Sequence, residues 1–100
     1  MSERNTVAPP PLLVDGIAQF NGGQYFEQHE TLETLWRAEP GPIRSLYQGI
    51  LQIGVAFHHL RRGNYHGVVV MLERGLARVK PFEPTCQDVD VARLIREHKI

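Results

Sequence analysis

Apolar residues recur along this chain at spacings of three and four, and Gly- and Pro-rich punctuation cuts that pattern into five stretches. Leu13, Ile17 and Phe20 predict a short first helix, stopped by Asn21-Gly22-Gly23, because glycine tolerates the left-handed backbone that ends helices. A second helix is expected from about Gln24 to Ala38, broken by Glu39-Pro40-Gly41-Pro42. The third and longest, roughly Ile43–Arg62, carries Ile43, Leu46, Tyr47, Ile50, Leu51, Gly54, Phe57 and His58 on one wide arc. Gly54, inside that arc, is a place where a neighbouring backbone can come close. Gly63-Asn64 ends this helix. A fourth, about Tyr65–Val79, lines up Tyr65, Val68, Val69, Leu72, Leu76 and Val79. Pro81-Phe82-Glu83-Pro84 reads as a loop. Thr85 or Asp88 is the expected cap of a last helix bearing Val91, Leu94 and Ile95.

No stretch alternates as a strand would, so the pattern predicts an all-α fold without a sheet. Short connections favour antiparallel neighbours. The expected architecture is a compact single-domain bundle of about five helices over residues 12–100. A mobile lead-in over 1–11 ends in Pro9-Pro10-Pro11. The expected core comprises Leu32, Trp36, Ile50, Leu51, Phe57, Leu72 and Leu76.

The chain's 100 residues are enough to bury a core without disulfide staples. Lysine plus arginine equals aspartate plus glutamate at 11 each, which argues against a nucleic-acid or acidic-membrane partner. The lone Cys86 favours a reducing compartment. No apolar run reaches the ~18 residues of a membrane span. The N-terminal residues lack the apolar core of a signal peptide. The cytoplasm is the expected location.

Polar chemistry concentrates in Tyr25-Phe26-Glu27-Gln28-His29-Glu30-Thr31-Leu32-Glu33-Thr34-Leu35-Trp36. At about 100° per residue, Tyr25, Leu32 and Trp36 cluster on one side of the second helix. His29 falls inside that cluster, with Glu33 in the same arc and Glu30 at its edge. Polar groups on a core-facing stripe must be hydrogen-bonded, paired or metal-bound. His29-Glu30-x-x-Glu33 is one residue type away from the zinc-protease pattern H-E-x-x-H. His29 and Glu33, four apart, can reach one point above the helix. His58, on the inner arc of the third helix, is the candidate third ligand. Two histidines and a carboxylate suit Fe(II) or Zn²⁺. Gln48, Gln52 and His59 make a second polar stripe beside that arc. His58 and His59 point about 100° apart and do not readily share an ion. Trp36 reads as a core anchor or a pocket wall, and Glu33 has Arg37 as an alternative partner.

Three motifs combine over residues 12–80. They are Phe20-Asn21-x-Gly23-x-Tyr25-Phe26-x-x-His29-Glu30-x-Leu32-Glu33-x-x-Trp36-Arg37, then Tyr47-Gln48-Gly49-Ile50-Leu51-Gln52, then Ala56-Phe57-His58-x-x-Arg61-x-Gly63-Asn64. Together they resemble the small bacterial and archaeal domain-of-unknown-function family 309. The resemblance implies a multi-helical bundle and sets the recurrent polar residues at His29, Glu30, Glu33, Gln48 and His58.

Two functional readings stay open. In the first, the chain is a binding or structural module with a buried polar site between helices two and three, built from His29, Glu33, Trp36, Gln48, Gln52 and His58. Its partner would be a second copy, a small molecule or another protein. In the second, the chain is a metal-dependent hydrolase. His29, Glu33 and His58 hold a divalent ion (zinc or iron), and Glu30 is the base acting on a bound water.

Overall fold

The computed structural model describes residues 8–99. Within these residues five α-helices appear in chain order: α1 (Pro11–Asn21), α2 (Tyr25–Ala38), α3 (Arg44–Arg61), α4 (Tyr65–Val79) and α5 (Val91–His98). Residues 1–7, most of the expected lead-in, lie outside the described part. Pro11 opens α1, where its fixed φ suits the first turn and its missing N–H is not needed. Gly23 and Gly63 adopt φ of 74° and 73°, turning the chain after α1 and α3. Two side chains cap helices. Asn64 Oδ1 accepts from Gly67 N at 3.1 Å, and Asp90 Oδ1 accepts from Arg93 N at 3.0 Å. The cap of α5 is thus Asp90, not Thr85 or Asp88.

The expectation of no sheet needs a small correction. Thr85–Cys86 (β1) and Val89–Asp90 (β2) pair antiparallel, Thr85 with Asp90 and Cys86 with Val89. Two-residue strands are too short to show alternation. Their turn, Gln87-Asp88, lacks the glycine that flags a tight hairpin, yet both residues have positive φ, 48° and 66°. A tertiary contact accompanies this conformation. Tyr47 is fully buried, and its hydroxyl donates to Gln87 Oε1 at 2.7 Å. Burial pushes the Tyr47 phenol above its usual 10.0, because the phenolate loses its hydration. Stability should therefore be independent of this group below pH ~9 and fall as pH rises past ~10, where only the unfolded chain releases the proton. Urea titrations at several alkaline pH values, on wild type and Tyr47→Phe, check this. The variant should lose that part of the alkaline slope.

The core is built where α1, α2 and α3 meet. Leu13, Leu32, Leu46, Tyr47, Ile50 and Ile53 are at most 1% exposed, joined by Val79 and Val91. Gly16 on α1 leaves room for Leu32, whose Cδ2 would lie 2.5 Å from a Cβ placed there. Helices α3 and α4 meet backbone to backbone. A Cβ at Gly75 would sit 2.8 Å from the Gly49 carbonyl oxygen, and one at Gly49 would sit 2.9 Å from that of Gly75. The close backbone approach expected at Gly54 thus occurs at the Gly49–Gly75 pair.

The expected core was too wide. Leu32, Ile50 and Leu51 are buried, whereas Trp36, Phe57, Leu72 and Leu76 are half-buried. Trp36 packs on the core edge under the Arg44 guanidinium, 5.1 Å from its ring. Leu72 and Leu76 lie on α4, whose only buried residues are Gly75 and Val79.

Candidate functional site

Three contacts fix how α2 lies along α3. Arg44 covers Trp36, Gln28 Nε2 donates to the Ile50 carbonyl at 3.2 Å, and Tyr25 stacks on Phe57 at 5.3 Å. These pairs define one antiparallel register. In that register, Gln52 and Gln48 lie level with Gln28 and Leu32. His29 lies level with residue 51.

The residues of α2 that meet the core are Gln28, Leu32 and Leu35. This line is rotated by about one residue from the Tyr25–His29–Trp36 line expected from sequence. His29 and Glu33 are consequently not buried. Their side chains are 41% and 36% exposed, with His29 Nε2 3.8 Å from Glu33 Oε2. Arg37 reaches the other Glu33 oxygen at 3.5 Å. The three form a half-exposed ladder along one face of α2. Glu30 is exposed, and its backbone carbonyl accepts from Thr34 Oγ1 at 3.0 Å.

His58 does not join them. It is exposed, its ring 6.3 Å from that of His59. The register explains why: it stands seven residues beyond the level of His29, or ~10 Å along the axis. The proposed ligands His29, Glu33 and His58 are therefore split, and the expected burial of His29 and His58 is corrected. Among the described residues, no group of three or more His, Cys, Asp or Glu is arranged to hold a metal ion.

The buried polar residue between α2 and α3 is Gln28, which is fully buried. Its Oε1 has no hydrogen-bond partner and lies against Gly54, where any Cβ would collide with it. Gln52, half-buried, also has an unpartnered buried Oε1, and Gln48 is half-buried beside it. An unmet buried acceptor lowers stability by about 1–3 kcal/mol. Gln28→Met conserves length and removes that acceptor. It should leave stability unchanged or raise it by about 1 kcal/mol. A loss above about 2 kcal/mol in urea unfolding would show that the amide stabilises this interface.

A second region forms between α1, α5 and the hairpin. Phe20 meets Tyr25, Phe57 and His98 edge-on, at 6.0, 5.9 and 5.8 Å. The Arg61 guanidinium lies 4.5 Å above the Tyr25 ring. Beside this cluster opens a cleft of about 480 Å³. Its floor is apolar, from Leu13, Ile17, Phe20, Ile50 and Leu94. Its rim carries Asp88, Asp90, Arg93, Glu97 and His98. Arg93 Nε is tied to Glu97 Oε2 at 3.0 Å. His98 Nδ1 lies 2.8 Å from the Leu94 carbonyl oxygen. A carbonyl only accepts, so Nδ1 carries the proton. Sequence pattern did not reveal this cleft. Gln28 had left a signal, since it extends the Leu32–Leu35 line backward by one turn.

The arrangement defines a small all-α module with a capped five-helix order and a two-residue-per-strand hairpin before the last helix. Comparison with known proteins gives it a family. The domain of unknown function DUF309 matches residues 13–71, and the chain belongs to that family. The uncharacterized protein YpuF of Bacillus subtilis (strain 168) is 30% identical over 90 residues, 86% of this chain and 52% of YpuF. The chain thus spans about half the length of that relative. No solved structure matches.

Proposed function

We propose that this chain is a binding module whose cleft between α1 and α5 takes an amphipathic cation. The observation that supports this is the cleft itself. It falls within the ~300–1,000 Å³ of small-molecule sites, with an apolar floor and a charged rim. Asp88, Asp90 and Glu97 outnumber Arg93 at the rim, an excess of two acidic side chains. Arg93 is already engaged by Glu97, so a bound carboxylate would compete for it, whereas Asp88 is exposed at the turn. The ligand chemistry is an apolar or aromatic body with one ammonium or amidinium head.

In this reading the motif residues on α2 and α3 have a structural role. His29, Glu33 and Arg37 make a surface ladder, Trp36 closes the core edge, and Gln28, Gln48 and Gln52 lie along the α2–α3 seam. The split of His29, Glu33 and His58 removes the support for the metal-dependent hydrolase with Glu30 as base. Among the described residues, no helix is long and apolar enough to cross a membrane. A reducing, cytoplasmic setting is supported by the single cysteine.

Isothermal titration with an aromatic amine and its matched carboxylate tests the proposal. The amine should bind, the carboxylate at least about tenfold more weakly, and Asp88→Asn should reduce amine affinity severalfold. Ile17→Trp, which fills the floor, should abolish binding. Equal affinity for both compounds, or amine binding unchanged by Ile17→Trp, would overturn it.

A further inference from the structure

We infer that α4 carries a self-complementary seam on which a second copy of this chain docks antiparallel. This inference is independent of the cleft. Tyr65, Val69, Leu72 and Leu76 are spaced 4, 3 and 4, the repeat of a helix-pairing stripe, and share about 60° of the helix circumference. A stripe of this kind buries itself in a folded chain, yet here its N-terminal half stays open and its C-terminal half is only partly covered. Tyr65 is 68% and Val69 42% exposed, and Leu72 and Leu76 are half-buried. The half-buried hydrophobics packed on the core come from α1, α2, α3, the hairpin region and α5, and none comes from α4. Helix α4 is held to α3 by the close Gly49–Gly75 approach and by the fully buried Val79, while Tyr65 and Val69 towards its N-terminal end face solvent.

The occupant follows from the symmetry of the stripe. An antiparallel two-fold pairs Tyr65 with Leu76 of the second copy and Val69 with its Leu72, apolar against apolar throughout. The same register brings Glu73, on the stripe's outer flank, within one turn of His66 of the second copy, twice over. Both residues are exposed in the single chain. A formal net charge of zero also removes long-range repulsion between copies. Four side chains per copy make a small interface, so association belongs in the micromolar-to-millimolar range.

Sedimentation velocity on the full chain from about 20 µM to about 1 mM tests the inference. The mean mass should rise from 11.4 kDa toward twice that value. Val69→Glu and Tyr65→Ser, both at exposed positions and so expected to fold, should remain monomeric over the range. Phe26→Ser, at a residue 65% exposed on α2 and off the seam, should associate like wild type. A chain monomeric at the highest concentration, as expected if nucleic acid or another protein occupies the stripe, would overturn the inference. So would Val69→Glu associating as strongly as wild type, or Phe26→Ser alone abolishing association.

Discussion

Leu32→Ala should lower unfolding stability by about 3–5 kcal/mol, the upper part of the range for buried leucines. Leu32 is fully buried and fills the space that Gly16 leaves on α1, so its loss opens a cavity between α1 and α2. Neither wall collapses easily, because Gln28 and Leu35 hold the neighbouring turns of the same face. Small domains are stable by about 5–15 kcal/mol, so this one change removes a large share. His29→Ala, three residues away, should change stability by less than about 0.5 kcal/mol, since its ring is half exposed and only loosely paired with Glu33. Urea unfolding of both variants checks the contrast. A His29→Ala loss approaching that of Leu32→Ala would return the histidine to the core.

Gly75→Val should be nearly as severe, at about 3 kcal/mol. The new Cβ would meet the Gly49 carbonyl oxygen and Ile53 Cγ1, both at 2.8 Å. Backbone cannot step aside as a flexible side chain can, so α4 must move off α3. Valine's better helix propensity than glycine offsets only a few tenths of a kcal/mol. The same displacement would disturb the seam, so the variant belongs in stability measurements and not in tests of association.

The helix limits were legible because Asn21-Gly22-Gly23, Pro40-Gly41-Pro42 and Gly63-Asn64 each impose a local backbone constraint that no tertiary contact overrides. Spacing alone sets the core face of α2 about one residue away from where it lies, because by residue type Gln28 is polar and Tyr25 and Trp36 are apolar. Packing decided otherwise, since Gly54 makes a slot for the glutamine side chain. With that shift His29 and Glu33 moved to the flank. His58 fell away from them because its place along α3 depends on the pairing register, which spacing within one helix does not encode. The hairpin at residues 85–90 and the α1–α5 cleft arise from contacts between segments far apart in sequence. Tyr47 to Gln87 is one such contact. The stripe on α4 was legible and correct as a pattern. The chain's own core covers its C-terminal end at Val79 and leaves Tyr65 and Val69 exposed, a difference that spacing within one helix does not encode.

The most direct test of the binding proposal is where a ligand perturbs the protein. A ¹H–¹⁵N correlation spectrum titrated with an aromatic amine should shift the amides of Ile17, Phe20, Leu94 and His98, and leave those of His29, Glu33, Gln48 and Gln52 in place. Shifts confined to His29, Glu33 and Gln48 would contradict the account and return the function to the α2–α3 motif.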